Sequence, residues 1–97
     1  MAALPALAAS WTGRLVDYSC IQRHTGSNCE PSRLTTKFAI QTADGAVHPL
    51  DPTGNAKTAE MMHDITTRSG DVQATISGDT DSGIIRVDNI EIQEIHK

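Results

Sequence analysis

At 97 residues the chain makes one domain. With 38% hydrophobic and 3% aromatic residues its core is thin enough that a covalent staple or a metal is a plausible aid. The formal net charge of −4 argues against general binding to phosphate backbones, and no run approaches the length of a transmembrane helix.

Residues 1–9 are Ala-rich, lack a basic stretch and end in small residues. They read as a disordered leader or the remnant of a signal peptide, outside the fold. The domain, residues 10–97, opens on Trp11-Thr-Gly-Arg-Leu-Val-Asp17. Alternation along a strand points Trp11 and Leu15 into a core and Arg14 to water. Gly13 inside the run predicts a bulge or bend, the corner a small barrel needs where one strand serves two sheets. Trp11, the single tryptophan, reads as a core plug, with a ligand-stacking ring as the alternative. Residues 18–32 have no apolar period and are rich in Ser, Gly, Asn and Pro, which predicts a loop. A Cys20–Cys29 bridge would give so long a loop its reason.

Residues 34–43 read as the second strand, with Phe38, Ile40 and Thr42 on one face and Lys37, Ala39 and Gln41 on the other. Asp44-Gly45 predicts a type I′ hairpin turn. Residues 47–50 form a short return strand in which Pro49 marks an edge or an end. After turn chemistry at 51–55, the period changes to that of a helix over 56–68, with Ala59, Met62, Ile65 and Thr66 on one face. Asn55 serves as N-cap, and Arg68 and Gly70 suit the far end. Residues 71–78 alternate, with Val72, Ala74 and Ile76 in and Gln73, Thr75 and Ser77 out. A turn at 79–83 leads to a last strand over 84–95. There the apolar parity switches between Ile85/Val87 and Ile90/Ile92, predicting a bulge at Asp88-Asn89. The expected fold is mainly β: a five-stranded OB-fold-like Greek-key barrel with one short helix between strands 3 and 4. The alternative is a small open α+β sheet with one helix on its face.

The most suggestive chemical cluster is Cys20, His24 and Cys29. A plain disulfide with a solvated histidine is the simpler reading. With His48 or Asp17 the cluster is the alternative, a copper or zinc site, although its spacing matches no standard zinc pattern. Cys20 with His24 as nucleophile and base is weaker, because no orienting third group is visible. His63 and His96 read as solvated, and Met61 and Met62 as core filler. Asp79-x-Asp81-x-Gly83 lacks the remaining ligands of a calcium loop and reads as a hairpin. No phosphate loop or nucleophile elbow is present. Single-strand binding needs a basic groove with stacking aromatics; Lys37, Arg14 and Arg86 beside Trp11, Tyr18 and Phe38 do not make one in an acidic chain.

The opening Trp11-Thr-Gly-Arg-Leu-Val-Asp17, followed by Cys20, His24 and Cys29, resembles that of small secreted bacterial OB-fold proteins of unknown function. Those begin with an aromatic, a Thr-Gly pair, an Asp and a Cys after a signal peptide. Later pieces are similar too: Asp44-Gly45, Gly70-Asp71-Val72 leading to Ser77-Gly78, and Ile84-Ile85-Arg86-Val87-Asp88 leading to Ile90. The likeness spans residues 10–93 and implies the fold and a secreted or periplasmic location, not a chemistry. Family members often carry more than one Cys after the first; here Cys29 alone follows Cys20.

The expected function is therefore a non-enzymatic binding module for a protein, glycan or small molecule. It has no catalytic residues and no cofactor, and it binds no nucleic acid. Its contacts are expected on the barrel face near the Cys20–Cys29 loop, from Arg14, Tyr18 and His24. The runner-up is metal binding through Cys20, His24 and Cys29.

Overall fold

The structure, a computed structural model, describes residues 9–23, 29–64 and 72–94. Five strands and two helices follow one another as β1 (Ala9–Asp17), α1 (Tyr18–Arg23), β2 (Phe38–Thr42), β3 (Val47–Pro49), α2 (Pro52–Asp64), β4 (Val72–Asp81) and β5 (Ile84–Glu94). The strands form one antiparallel sheet in the order β3-β2-β1-β4-β5. The expected strand count and the helix between strands 3 and 4 are found. His24 and residues 65–71 and 95–97, which carry the predicted Ile65, Thr66, Arg68, Gly70 and His96, lie outside the described residues, as do residues 1–8.

β1 is the shared strand. Its first part, Ala9 to Arg14, pairs with β4, and its second part, Gly13 to Asp17, pairs with β2. The two ladders overlap at Gly13 and Arg14. A Cβ placed on Gly13 would sit 2.1 Å from the Gln41 carbonyl oxygen, so the missing side chain is what lets β2 approach here. Ala9, set aside with the leader in the sequence reading, pairs with Gly78 and belongs to the strand.

The expected closed barrel is not formed by continuous ladders. The free ends of the sheet, β3 and β5, meet at a single isolated parallel bridge, Leu50 to Ile85. β3 is three residues long and ends on Pro49, which has no N–H to extend a ladder. One backbone bond and one side-chain bond from Asp51 reinforce the contact. The Asp51 N–H donates to the Ile85 carbonyl at 2.9 Å, and Asp51 Oδ1 accepts the Val87 N–H at 3.3 Å.

The core is built from Leu15, Phe38, Ile40, Leu50, Met62, Val72, Ala74, Ile76, Ile85, Val87 and Ile90, with Trp11, Ala59, Met61 and Ile92 packed against it half-buried. Trp11 thus seals one margin of the core, and its ring stands 6.3 Å from that of His48, tilted 46°. The parity switch in β5 has the predicted cause. Ser77 pairs with Asn89 while Gly78 pairs with Val87, leaving Asp88 as the extra residue of a bulge. The bulge lets Ile85, Val87 and Ile90 all reach the core.

The turns differ from expectation. At the β2–β3 connection Gly45 has φ +87°, but Asp44 is not in the left-handed region. The Gly45 N–H bonds to Thr42 O and the Thr42 N–H to Ala46 O. This is a three-residue loop ending in a left-handed glycine, not a type I′ turn. The Asp44 carboxylate accepts from the Thr42 hydroxyl and then from the Ala46 N–H, and these bonds hold its pKa below the usual carboxylate range. The type I′ signature sits instead at the β4–β5 turn, where Ser82 and Gly83 have φ +55° and +84°. Asp79, Thr80 and Asp81, read as turn residues, are paired members of β4.

The predicted helix begins four residues early, at Pro52 rather than Ala56. Asp51 is its N-cap, accepting the Gly54 N–H at 2.9 Å, and Pro52 occupies the first helical position, where no N–H is needed. Asn55, the predicted cap, has another task. Its Oδ1 accepts the Phe38 N–H at 2.8 Å, tying the helix to the start of β2. The buried stripe runs Gly54, Thr58, Met62 at spacings of four. The Thr58 hydroxyl is satisfied by Gly54 O at 2.8 Å.

Residues 18–32, read as a loop, include the short helix α1. Asp17 organises this flap. Its Oδ1 accepts the Cys20 N–H at 3.0 Å, capping α1, and its Oδ2 accepts the Thr35 hydroxyl at 2.9 Å. The Asp17 N–H donates to Cys29 O and the Tyr18 N–H to Lys37 O. The second strand accordingly starts at Phe38, not Leu34. Cys29, which the flap carries, is buried, as are Val16 and Ala39, which face away from the main core. Cys20 and Cys29 are joined by a disulfide with Cα atoms 5.5 Å apart. Reducing it is expected to lower stability by roughly 2–3 kcal/mol, the chain entropy released by opening so small a ring. Urea titrations with and without reductant measure this. An unchanged midpoint at unchanged slope would show that the flap holds without its sulfur link.

Candidate functional site

Residues directly opposite one another in an antiparallel ladder share a face. The pairings Val47–Gln41, Gln41–Arg14, Arg14–Gln73 and Gln73–Gln93 therefore run across all five strands as one row. A second row, Thr12–Thr75–Glu91, lies beside it. This is the face away from the core, and along these two rows it carries amides, hydroxyls and the Arg14 guanidinium, with Val47 at one end and the Glu91 carboxylate on β5.

At the centre the row sinks into an open groove of about 500 Å³, whose lining includes Thr12, Arg14, Gln41, Thr42 and Gln73. Gly13, where the two ladders of β1 overlap, and Ala43 and Gly45 of the β2–β3 turn also line it. Arg14 is half-buried rather than directed wholly to water, and its Nη2 donates to Gln41 Oε1 at 2.8 Å. That bond ties the guanidinium to Gln41 and orients the Gln41 amide. Thr12 Oγ1 and Thr75 Oγ1 lie 3.3 Å apart in a shared hydrogen bond. The surface offers donors and acceptors in fixed planes, the chemistry that orients carbonyl, carboxylate or vicinal hydroxyl groups. Its lining carries no carboxylate, imidazole or thiol that would serve as a general base.

Of the three predicted contact residues, Arg14 lies at the centre of this groove. Tyr18 begins α1, half-buried, and is not among the lining residues. His24 lies outside the described residues. Gln41 and Gln73 were read only as outward strand positions. What places them beside Arg14 is register, which alternation does not reveal.

Among the described residues, the groups considered for a metal have other partners. Both sulfurs are in the disulfide. Asp17 caps α1 and binds Thr35, and His48 packs against Trp11. Among the described residues no group of three or more His, Cys, Asp or Glu side chains is placed to hold a metal ion. Met62 is core, Met61 half-buried and His63 exposed. No helix among the described residues is long and apolar enough to cross a membrane. Compared with known protein families, curated proteins and solved structures, the chain matches none of them.

Proposed function

We propose that this chain is a non-enzymatic binding module of OB type, working in a secreted or periplasmic setting, that takes its ligand on the outer face of the sheet around Arg14. Three observations support the reading. The strand order β3-β2-β1-β4-β5, with β3 touching β5 at Leu50 and Ile85 and a helix between strands 3 and 4, is the connectivity of a five-stranded Greek-key barrel. The disulfide suits an oxidising compartment. The observation that carries the function is the Gln41–Arg14–Gln73 row at the floor of an open groove.

The ligand that fits is a glycan, a small molecule or a protein segment presenting oxygen acceptors to the row. The net charge of −4 weighs against nucleic acid. The test is an amide-shift screen by NMR against neutral and acidic oligosaccharides, small carboxylates and short peptides. Binding compounds are expected to move the Thr12, Arg14, Gln41 and Gln73 amides, and Arg14→Ala is expected to weaken them by about tenfold or more. Hits that leave those four amides still, or that bind Arg14→Ala equally well, exclude the groove as the binding surface.

A further inference from the structure

At its centre the groove around Arg14 offers a ligand donors rather than acceptors. Arg14 is the one charged side chain in its lining, and a guanidinium donates without accepting. The Gln41 amide has its oxygen engaged, since Oε1 accepts from Arg14 Nη2 at 2.8 Å. Its NH2 is therefore the group that Gln41 brings to a ligand. A hydroxyl bound to these two would carry a hydrogen that neither of them is placed to accept. A carboxylate has acceptors alone, and its charge strengthens each bond.

Two residues along β1 the chemistry changes. Thr12 and Thr75 face each other across the ladder, with their hydroxyl oxygens 3.3 Å apart. One hydroxyl hydrogen lies in that shared bond, so the pair keeps a second hydrogen to donate and lone pairs to accept. It suits ligand hydroxyls, which do both. Thr12 and Arg14 are roughly 7 Å apart along the strand, a span that one sugar ring bearing a carboxyl group bridges. The nearby carboxylates of the protein leave the place open to an anion. Asp44, in the turn beside the groove, keeps its own on the Thr42 hydroxyl and the Ala46 N–H. Glu91 stands two strands from Thr12, roughly 10 Å, about one Debye length in physiological salt.

We infer, on the strength of the binding surface proposed above, that the groove takes a sugar acid. The carboxylate lies on Arg14 and Gln41, and ring hydroxyls lie on Thr12 and Thr75.

Amide-shift titrations by NMR with three probes test this: digalacturonate, its dimethyl ester and N-acetylglutamate. The ester keeps the ring hydroxyls and loses the charge, whereas N-acetylglutamate keeps two carboxylates and has no ring. Digalacturonate is expected to move the Thr12, Arg14, Gln41 and Gln73 amides. It should bind about tenfold or more tightly than either of the others, and less tightly in high salt. Gln41→Glu sets a carboxylate beside Arg14 and should weaken the acid about tenfold more than the ester, while Thr12→Val should weaken both sugars alike. Amide shifts unchanged away from the groove show that each variant folds. An ester or an N-acetylglutamate that moves the same amides and binds as tightly as the acid overturns the inference, with the groove still the binding surface. Digalacturonate that leaves the four amides still overturns it too, and whether the groove binds anything then rests on the wider screen.

Discussion

Replacing Gly13 by alanine is expected to cost this domain more than about 3 kcal/mol, out of a total stability of roughly 5–15 kcal/mol for a protein of its kind. The new methyl carbon would lie 2.1 Å from the Gln41 carbonyl oxygen and 2.9 Å from its carbon. Both are backbone atoms, so no rotamer change relieves the clash, and β1 must lift from β2. Gly13 pairs with Thr42 on one side and Ala74 on the other, so lifting it disturbs both ladders at once. Urea unfolding followed by Trp11 fluorescence measures the loss. Gly45→Ala is the control. It too replaces a glycine, at φ +87° but with open space around it, and should cost only about 1–2 kcal/mol. Equal losses for the two variants would show that close approach at the strand crossing is not what Gly13 provides.

A glycine amid alternating side chains marked position 13 in the sequence, but as a bulge or bend; both ladders run through Gly13 in register, and what needs the glycine is the close approach of the Gln41 carbonyl. Alternation also located the inward faces of β1 and β4, and the parity switch in β5 located the bulge at Asp88. These are local signals, each written within a few residues. What could not be read depends on partners far along the chain. Asp51-Pro52 reads as a turn by composition, yet Asp51 caps α2 because Pro52 is pre-set for a first helical position and the Gly54 N–H needs an acceptor. Asn55 is a fair cap in isolation, but the Phe38 N–H claims its side chain. The short helix α1 has no apolar period to announce it. It exists because Asp17 caps it and the disulfide closes behind it.

The candidate site divides in the same way. Arg14 was legible as an outward residue on the central strand. That Gln41 and Gln73 stand on either side of it is a matter of register between strands twenty-seven and fifty-nine residues away, and β-alternation carries no register. The described residues of the metal reading are engaged by partners for a related reason. Asp17, His48 and the two cysteines each have a structural partner that proximity in sequence does not display.

Asp51→Ala should produce the second large loss, about 2–3 kcal/mol, or roughly 10–20 °C in Tm for a domain of this length. One carboxylate oxygen accepts both the Gly54 N–H at the start of α2 and the Val87 N–H on β5. Alanine removes the helix cap and leaves the Val87 amide without that acceptor, at the place where the two ends of the sheet meet. The neighbouring bond from the Asp51 N–H to Ile85 O belongs to the backbone and survives the substitution. Asp51→Asn keeps an acceptor oxygen on a side chain that caps as well as aspartate, so its loss should stay under about 1 kcal/mol. Thermal melts of the two variants rank the effects, and hydrogen exchange at the Val87 amide localises them. Exchange there should accelerate in Asp51→Ala beyond what the change in global stability explains. If Asn is as damaging as Ala, the negative charge and not the shared acceptor joins α2 to β5. If Val87 exchange follows global unfolding alone, the contact between β3 and β5 does not depend on this side chain.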